Sequence, residues 1–187
     1  MTLLILGLLL WSAAHLFKRV APDAHARLVA ALGPGPGRGV MALLILAGLV
    51  LVVIGFRRAP FEPVYDPPAW GIHLNNLLML LAIALMGAGQ SKGHARSWLR
   101  HPMLTGVLVW ALAHVLVNGD AASLVLFGWM AAWALASMAL INAREPAWTA
   151  PAPGPWSGDL RLLGIAVLLY AAIAAVHAWL GYWPFPQ

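Results

Sequence analysis

Cysteine is absent from the chain, and charge is scarce, with six acids and eleven bases in 187 residues. Without a thiol there is no disulfide, no thiolate ligand, no cysteine nucleophile and no Cys-x-x-Cys-His attachment site. Any metal must therefore be held by His, Met, Asn or carboxylate, and seven His are present. A soluble domain carries roughly 25% charged residues. Here the share is 9%, against 62% hydrophobic residues and a mean hydropathy of +0.82. So few charges cannot cover a water-facing surface, and the outside of the fold is expected to face lipid. The net charge of +5 would suit nucleic acid, but the bases lie in short loops between apolar runs rather than along one face. That pattern sets topology, and no nucleic-acid partner is expected.

What the chain does have is apolar runs, six of them, at about 2–17, 40–56, 72–89, 102–117, 121–142 and 162–180. Each approaches or meets the roughly 20 residues that cross a bilayer. The expected fold is all-α, a single transmembrane domain over 1–187 built as a bundle of about six helices. The fourth run is the shortest, and its helix is allowed a start as early as Trp98 or Leu99. Breaks fall at Gly33-Pro34-Gly35-Pro36-Gly37, at Pro67-Pro68 and at Pro151-Ala152-Pro153-Gly154-Pro155. Asn118-Gly119-Asp120 reads as a tight turn that makes runs four and five a helical hairpin. The run from Thr2 to Phe17 is read as a retained helix, because Lys18 and Arg19 follow it and a cleaved leader needs its bases first.

Lys and Arg set the orientation. Loops one, three and five hold Lys18, Arg19, Arg27, Arg38, Lys92, Arg96, Arg100, Arg144 and Arg161, whereas the other side holds only Arg57 and Arg58. Cytoplasmic loops are the basic ones, so both termini are expected outside the cytoplasm. Trp70, Trp98, Trp148, Trp156, Trp179 and Trp183 sit at run ends or in loops, as an interfacial belt requires. Trp110, Trp129 and Trp133 lie deeper and are expected to pack between helices.

An ionisable side chain inside a membrane is a functional candidate by default. A lone His in a bundle is more often bonded to a neighbouring helix than to a ligand. His15 and His114 are better than lone candidates. Each lies in an apolar run, has a Trp four residues earlier and is flanked by Ala, so that Trp11-Ser-Ala-Ala-His15 echoes Trp110-Ala-Leu-Ala-His114. Two His from separate helices in apolar surroundings are the usual means of holding b-type haem in a bundle. At 1.5 Å per residue, His15 lies about 20 Å below the outer boundary and His114 about 18 Å above the inner one. Their backbones then differ in depth by roughly 8 Å in a core of about 30 Å. Helical side chains lean toward their own N-terminus, which brings these two toward each other. His73, which shares a face with Asn76, and His177 lie toward the outer side with structural or ligand roles. His25 and His94 are read as solvated loop residues. Arg100 and His101 open the fourth run beside Pro102, where they would meet an anionic cofactor tail or headgroup, or simply start the helix.

Arg100-His101-Pro102-x-x-x-Gly106, Trp110-Ala-Leu-Ala-His114, Asn118-Gly119-Asp120 and the apolar helix that follows resemble the NnrU family. So do His15 in its apolar helix and Gly71-Ile72-His73 at the start of run three. These are bacterial membrane proteins associated with denitrification, and plant and algal zeta-carotene isomerase is their relative. The resemblance implies haem b (iron) held by His15 and His114, with Trp110, Arg100 and His101 beside the cofactor. It further implies a multi-pass protein of the bacterial inner membrane, acting either as an isomerase of a polyene-like lipid or as redox support for a denitrification enzyme. One departure matters: the isomerase has a Cys three residues before its second haem His, and Ala111 stands there in this chain. Arg-His-Pro-x-x-x-Gly also resembles membrane methyltransferases of the isoprenylcysteine carboxyl type, in which it begins the S-adenosylmethionine site. The later segment that would complete such a site is Asn142-Ala-Arg144-Glu145-Pro146-Ala-Trp148, whose single Glu followed by Pro departs from that pattern. A membrane assembly factor without a cofactor is the third expectation.

Overall fold

The computed structural model describes residues 1–186; Gln187, the last residue of the domain read over 1–187, lies outside the described residues. Within the described residues the chain is helical: α1 (Thr2–Val20), α2 (Pro22–Leu32), α3 (Pro34–Arg57), α4 (Gly71–Ala88), α5 (Pro102–Val117), α6 (Ala121–Arg144) and α7 (Trp156–Trp179), with a 3₁₀ turn at Ala95–Ser97. Five of these, α1, α3, α4, α6 and α7, are long and apolar enough to cross a membrane, and α5 is a shorter apolar helix. Large apolar side chains lie on the outside, among them Leu168, Leu43 and Leu160. The buried positions are mostly Ala, Gly and Ser. This inverted distribution is that of a helical membrane bundle, in which lipid is the solvent and small residues let backbones approach.

The ends of the helices differ from the apolar runs for local reasons. Pro34 and Pro36 do not break the chain; they fall in the first turn of α3, where an absent N–H costs nothing. The break is the single residue Gly33, which ends α2 and precedes α3 with φ +85°, a conformation other residues rarely adopt. α2 itself was not expected, because it is an 11-residue polar-and-apolar helix with no buried residue rather than an apolar run. α7 begins at Trp156 rather than near 162, since its first turn carries Asp159, an acid placed where the helix dipole favours it. α5 begins at Pro102, not at Trp98 or Leu99. His101, before the proline, has φ −124° and ψ 56°, because the proline ring keeps its predecessor out of the helical region. The 16 residues of α5 span about 24 Å, short of a hydrocarbon core of about 30 Å.

The chain divides into two compact units, one of Met1–Val64 with Asp120–Trp129, the other of Tyr65–Gly119 with Met130 onward. In the first unit α1 and α3 lie against each other at unusually close range. A Cβ on Gly7 would come 2.5 Å from Val52 N and 2.8 Å from Gly48 O; one on Gly48 would come 2.8 Å from Trp11 N; one on Gly55 would collide with Leu4 N. Only hydrogen fits at these positions, so the glycines set the spacing of α1 and α3. At the other side of this unit Ala121 N donates to Glu62 O at 2.9 Å.

In the second unit α4 packs on α5 and α7. Gly106 is the contact point with α4, where a Cβ would come 2.7 Å from Met86 Cγ and 2.8 Å from Ala82 O. The loop after α4 is fastened to the start of α7 by Asp159. Its Oδ2 accepts from His94 N and His94 Nδ1, both at 2.9 Å, and its Oδ1 accepts from Ala95 N at 2.9 Å. His94 also lies against Trp156, with ring centroids 4.3 Å apart. The reading of His94 as a solvated loop residue is thus corrected: its ring is held on two sides. His25, the other His read that way, has its ring edge-on to Phe17 at 6.0 Å.

Candidate functional site

His15 lies one turn beyond Trp11 on α1. Its Nδ1 is 2.8 Å from Trp11 O, and the two rings are 3.9 Å apart at 40°. A carbonyl oxygen only accepts, so Nδ1 carries the proton and the lone pair of the neutral ring is on Nε2. His114 repeats this arrangement in the second unit: Nδ1 donates to Trp110 O at 2.9 Å, with the rings 5.2 Å apart at 54°. The end of α5 is fixed around it, because Asn118 N and Asn118 Nδ2 donate to His114 O at 3.0 and 2.8 Å. Metal-bound imidazoles characteristically donate their second N–H to a carbonyl or carboxylate, which fixes the ring and makes the other nitrogen more basic. Both candidates have that partner, and the i−4 carbonyl supplies it from within the same helix.

His177 shares the geometry, donating from Nδ1 to Ile173 O at 2.8 Å, but without a Trp at that spacing. The neighbouring alanines differ between the two sites. Ala111 and Ala113 are fully buried in the protein's own packing, whereas Ala13 is exposed and Ala14 half-buried beside His15. Among the described residues no three His, Asp or Glu side chains converge as a metal cage.

Sequence reasoning missed one contact near His15. Trp129 Nε1 donates to Ser12 Oγ at 2.9 Å, tying the start of α6 to α1 one turn from His15. Ser12 is 8% exposed, so the bond is shielded. Trp129→Phe keeps a six-membered aromatic ring and removes the pyrrole ring with its N–H donor. It should lower stability by about 0.5–1.5 kcal/mol, read from thermal unfolding in detergent; unchanged unfolding would remove this bond from the structural account.

Arg100 and His101 are held by the end of α6. Arg100 donates to Pro146 O at 3.3 Å and to Glu145 O, and His101 Nε2 lies 2.8 Å from Asn142 Oδ1. This is the segment Asn142–Pro146 that the methyltransferase resemblance singled out, so its two halves do meet. Glu145 takes part here through its backbone carbonyl, an arrangement in which Arg100 neutralises the negative end of the α6 dipole. A cleft of about 260 Å³ opens beside Arg100 and His101.

Five spanning helices, a sixth short apolar helix and imidazoles set within the apolar segments define a multi-pass helical membrane protein whose environment is the lipid bilayer. The chain belongs to the NnrU family: the family model described as NnrU protein matches residues 3–184. No curated protein matches the chain, and no solved structure does.

Proposed function

We propose that this protein is a b-type haem carrier of the bacterial inner membrane, with His15 and His114 as the residues that would hold the iron. The observation that carries the reading is the repeated Trp-x-x-x-His unit, in which each imidazole donates from Nδ1 to the Trp carbonyl and keeps its lone pair on Nε2. The chain's part is to hold two neutral rings in one tautomer: Trp11 and Trp110 supply the acceptors, and Asn118 secures the helix end that bears His114. Haem held by two imidazoles would supply one-electron transfer. Of the two activities, redox support of a denitrification enzyme is favoured over isomerisation of a polyene-like lipid by Ala111, where the isomerase has Cys. Arg100 and His101 then lie at the membrane boundary, available to an anionic group.

A visible spectrum of the purified protein tests the reading. Sharp reduced bands of low-spin iron are expected, and a protein that stays colourless after haem is supplied would end it, leaving a membrane assembly factor. Methyl transfer from S-adenosylmethionine is favoured by one observation, the meeting of Arg100 and His101 with Asn142–Pro146. Against it, the segment's single acid, Glu145, is followed by Pro146 and takes part only through its backbone carbonyl.

Orientation follows from the basic loops. Both termini are placed outside the cytoplasm, so a C-terminal reporter that works only in the periplasm should be active and a cytoplasmic reporter silent. The opposite result would mean an odd number of crossings.

A further inference from the structure

The cleft beside Arg100 is chemically mixed. Its lining combines polar Gln90, Arg100 and His101 with apolar Met86, Met103 and Leu104, and no acid is among its walls. α5 starts at this cleft without a side-chain cap. Pro102 has no N–H, which leaves Met103 and Leu104 to present the first amides of the helix. An uncapped helix start with a guanidinium beside it favours an anion. Arg100 has five N–H donors, and two contacts to the carbonyls of Glu145 and Pro146 do not exhaust them.

The apolar part of the lining distinguishes among anions. Met103 is 56% exposed, and Trp98 and Leu99 just before α5 are exposed as well. A soluble phosphate has no use for such a wall, whereas the acyl chains of an amphiphile do. The volume, about 260 Å³, lies below the roughly 300–1,000 Å³ of pockets that enclose whole ligands. A headgroup fits, with its chains left in the bilayer. The cleft also opens on the side of the spans that carries most of the Lys and Arg, the leaflet side where anionic lipids are drawn.

We propose that this cleft binds the phosphate headgroup of an anionic membrane phospholipid, with Arg100 and the first amides of α5 as donors and the acyl chains against Met103 and Leu104. The site is independent of His15, His114 and haem. Native mass spectrometry of the detergent-solubilised full chain, with phosphatidylglycerol or phosphatidylcholine of matched chains, tests it. One phosphatidylglycerol should be retained in preference to phosphatidylcholine. Arg100→Gln should weaken that retention by about tenfold or more, the loss of a charged hydrogen bond. Met103→Trp fills the cleft without touching the Arg100 contacts to α6 and should weaken it similarly, while thermal unfolding confirms that both variants fold. Equal retention of the two lipids would overturn the proposal, as would retention indifferent to both substitutions. Displacement of the lipid by inorganic phosphate at the same concentration would assign the cleft to a soluble anion instead.

Discussion

His114→Ala should cost the protein its low-spin spectrum, and His15→Ala should do the same. Each would remove one of the two imidazoles proposed to hold the haem, so a high-spin spectrum or an empty site is expected, and the double variant should hold no haem. Altering only the outer partners of a metal ligand lowers affinity by about 10–100-fold, so losing the ligand itself should reduce retention at least that far. His177→Ala is the demanding control, because its ring makes the same Nδ1 contact to an i−4 carbonyl as the two candidates. It should leave the spectrum unchanged. His94→Ala should as well, since the ring of His94 is committed to Asp159 and Trp156. If His177 or His73 proves indispensable and His15 does not, the ligand pair lies nearer the outer face and the assignment is wrong.

The second large effect is expected at a residue that touches no ligand. Gly48→Val places a branched side chain where a Cβ alone would come 2.8 Å from Trp11 N and 2.9 Å from Trp11 Cα. Both obstacles are backbone, which cannot swing aside like a side chain. Overpacking of this kind costs about 1–3 kcal/mol, and relief requires α1 to move away from α3. Trp11 supplies the acceptor that holds His15, so displacement should reach the proposed ligand. The expected result is a lower unfolding temperature in detergent together with reduced haem retention, although both imidazoles remain. Gly39→Val, on the same helix with nothing within 4 Å of its Cβ, should change neither property. A Gly48→Val protein as stable as the parent would show that the two helices can separate freely.

How much of this was legible in the sequence depended on whether a feature was local. α5 ends at Val117 and α6 starts at Ala121, as read, because Asn118-Gly119-Asp120 punctuates the chain in the sequence itself. The partners of His15 and His114 could be foreseen in kind, since a helix places the carbonyl of residue i−4 beneath a side chain that leans toward the N-terminus. α2 escaped a reading based on apolar runs, because its residues alternate between polar and apolar on two faces. The clamp of Asp159 on His94 and Ala95 joins residues more than sixty positions apart and has no local pattern. Its one trace is a set of glycines, one in the polar loop after α4, one in the proline-rich segment before α7 and one in the first turn of α7. A Cβ on Gly158 would come 2.5 Å from Lys92 C, and Gly93 and Gly154 are hemmed in by Asp159 and Lys92 respectively. The hold of the α6 end on Arg100 was equally invisible, because it uses backbone oxygens of Glu145 and Pro146, which any residue would supply.

The glycine contacts between α1 and α3 bear on how the protein is made. They join the first two spans of the chain, and every atom they need lies between Leu3 and Gly55. During synthesis that pair is complete before Gly71, the first residue of α4, has been added. The hairpin can therefore close in the bilayer before α6 and α7 are complete, which sets the α1–α3 side of the support of His15 before Trp129 arrives to bond Ser12. A defect at Gly48 or Gly55 would then act at insertion as well, lowering the amount of protein in the membrane in addition to the stability of what arrives.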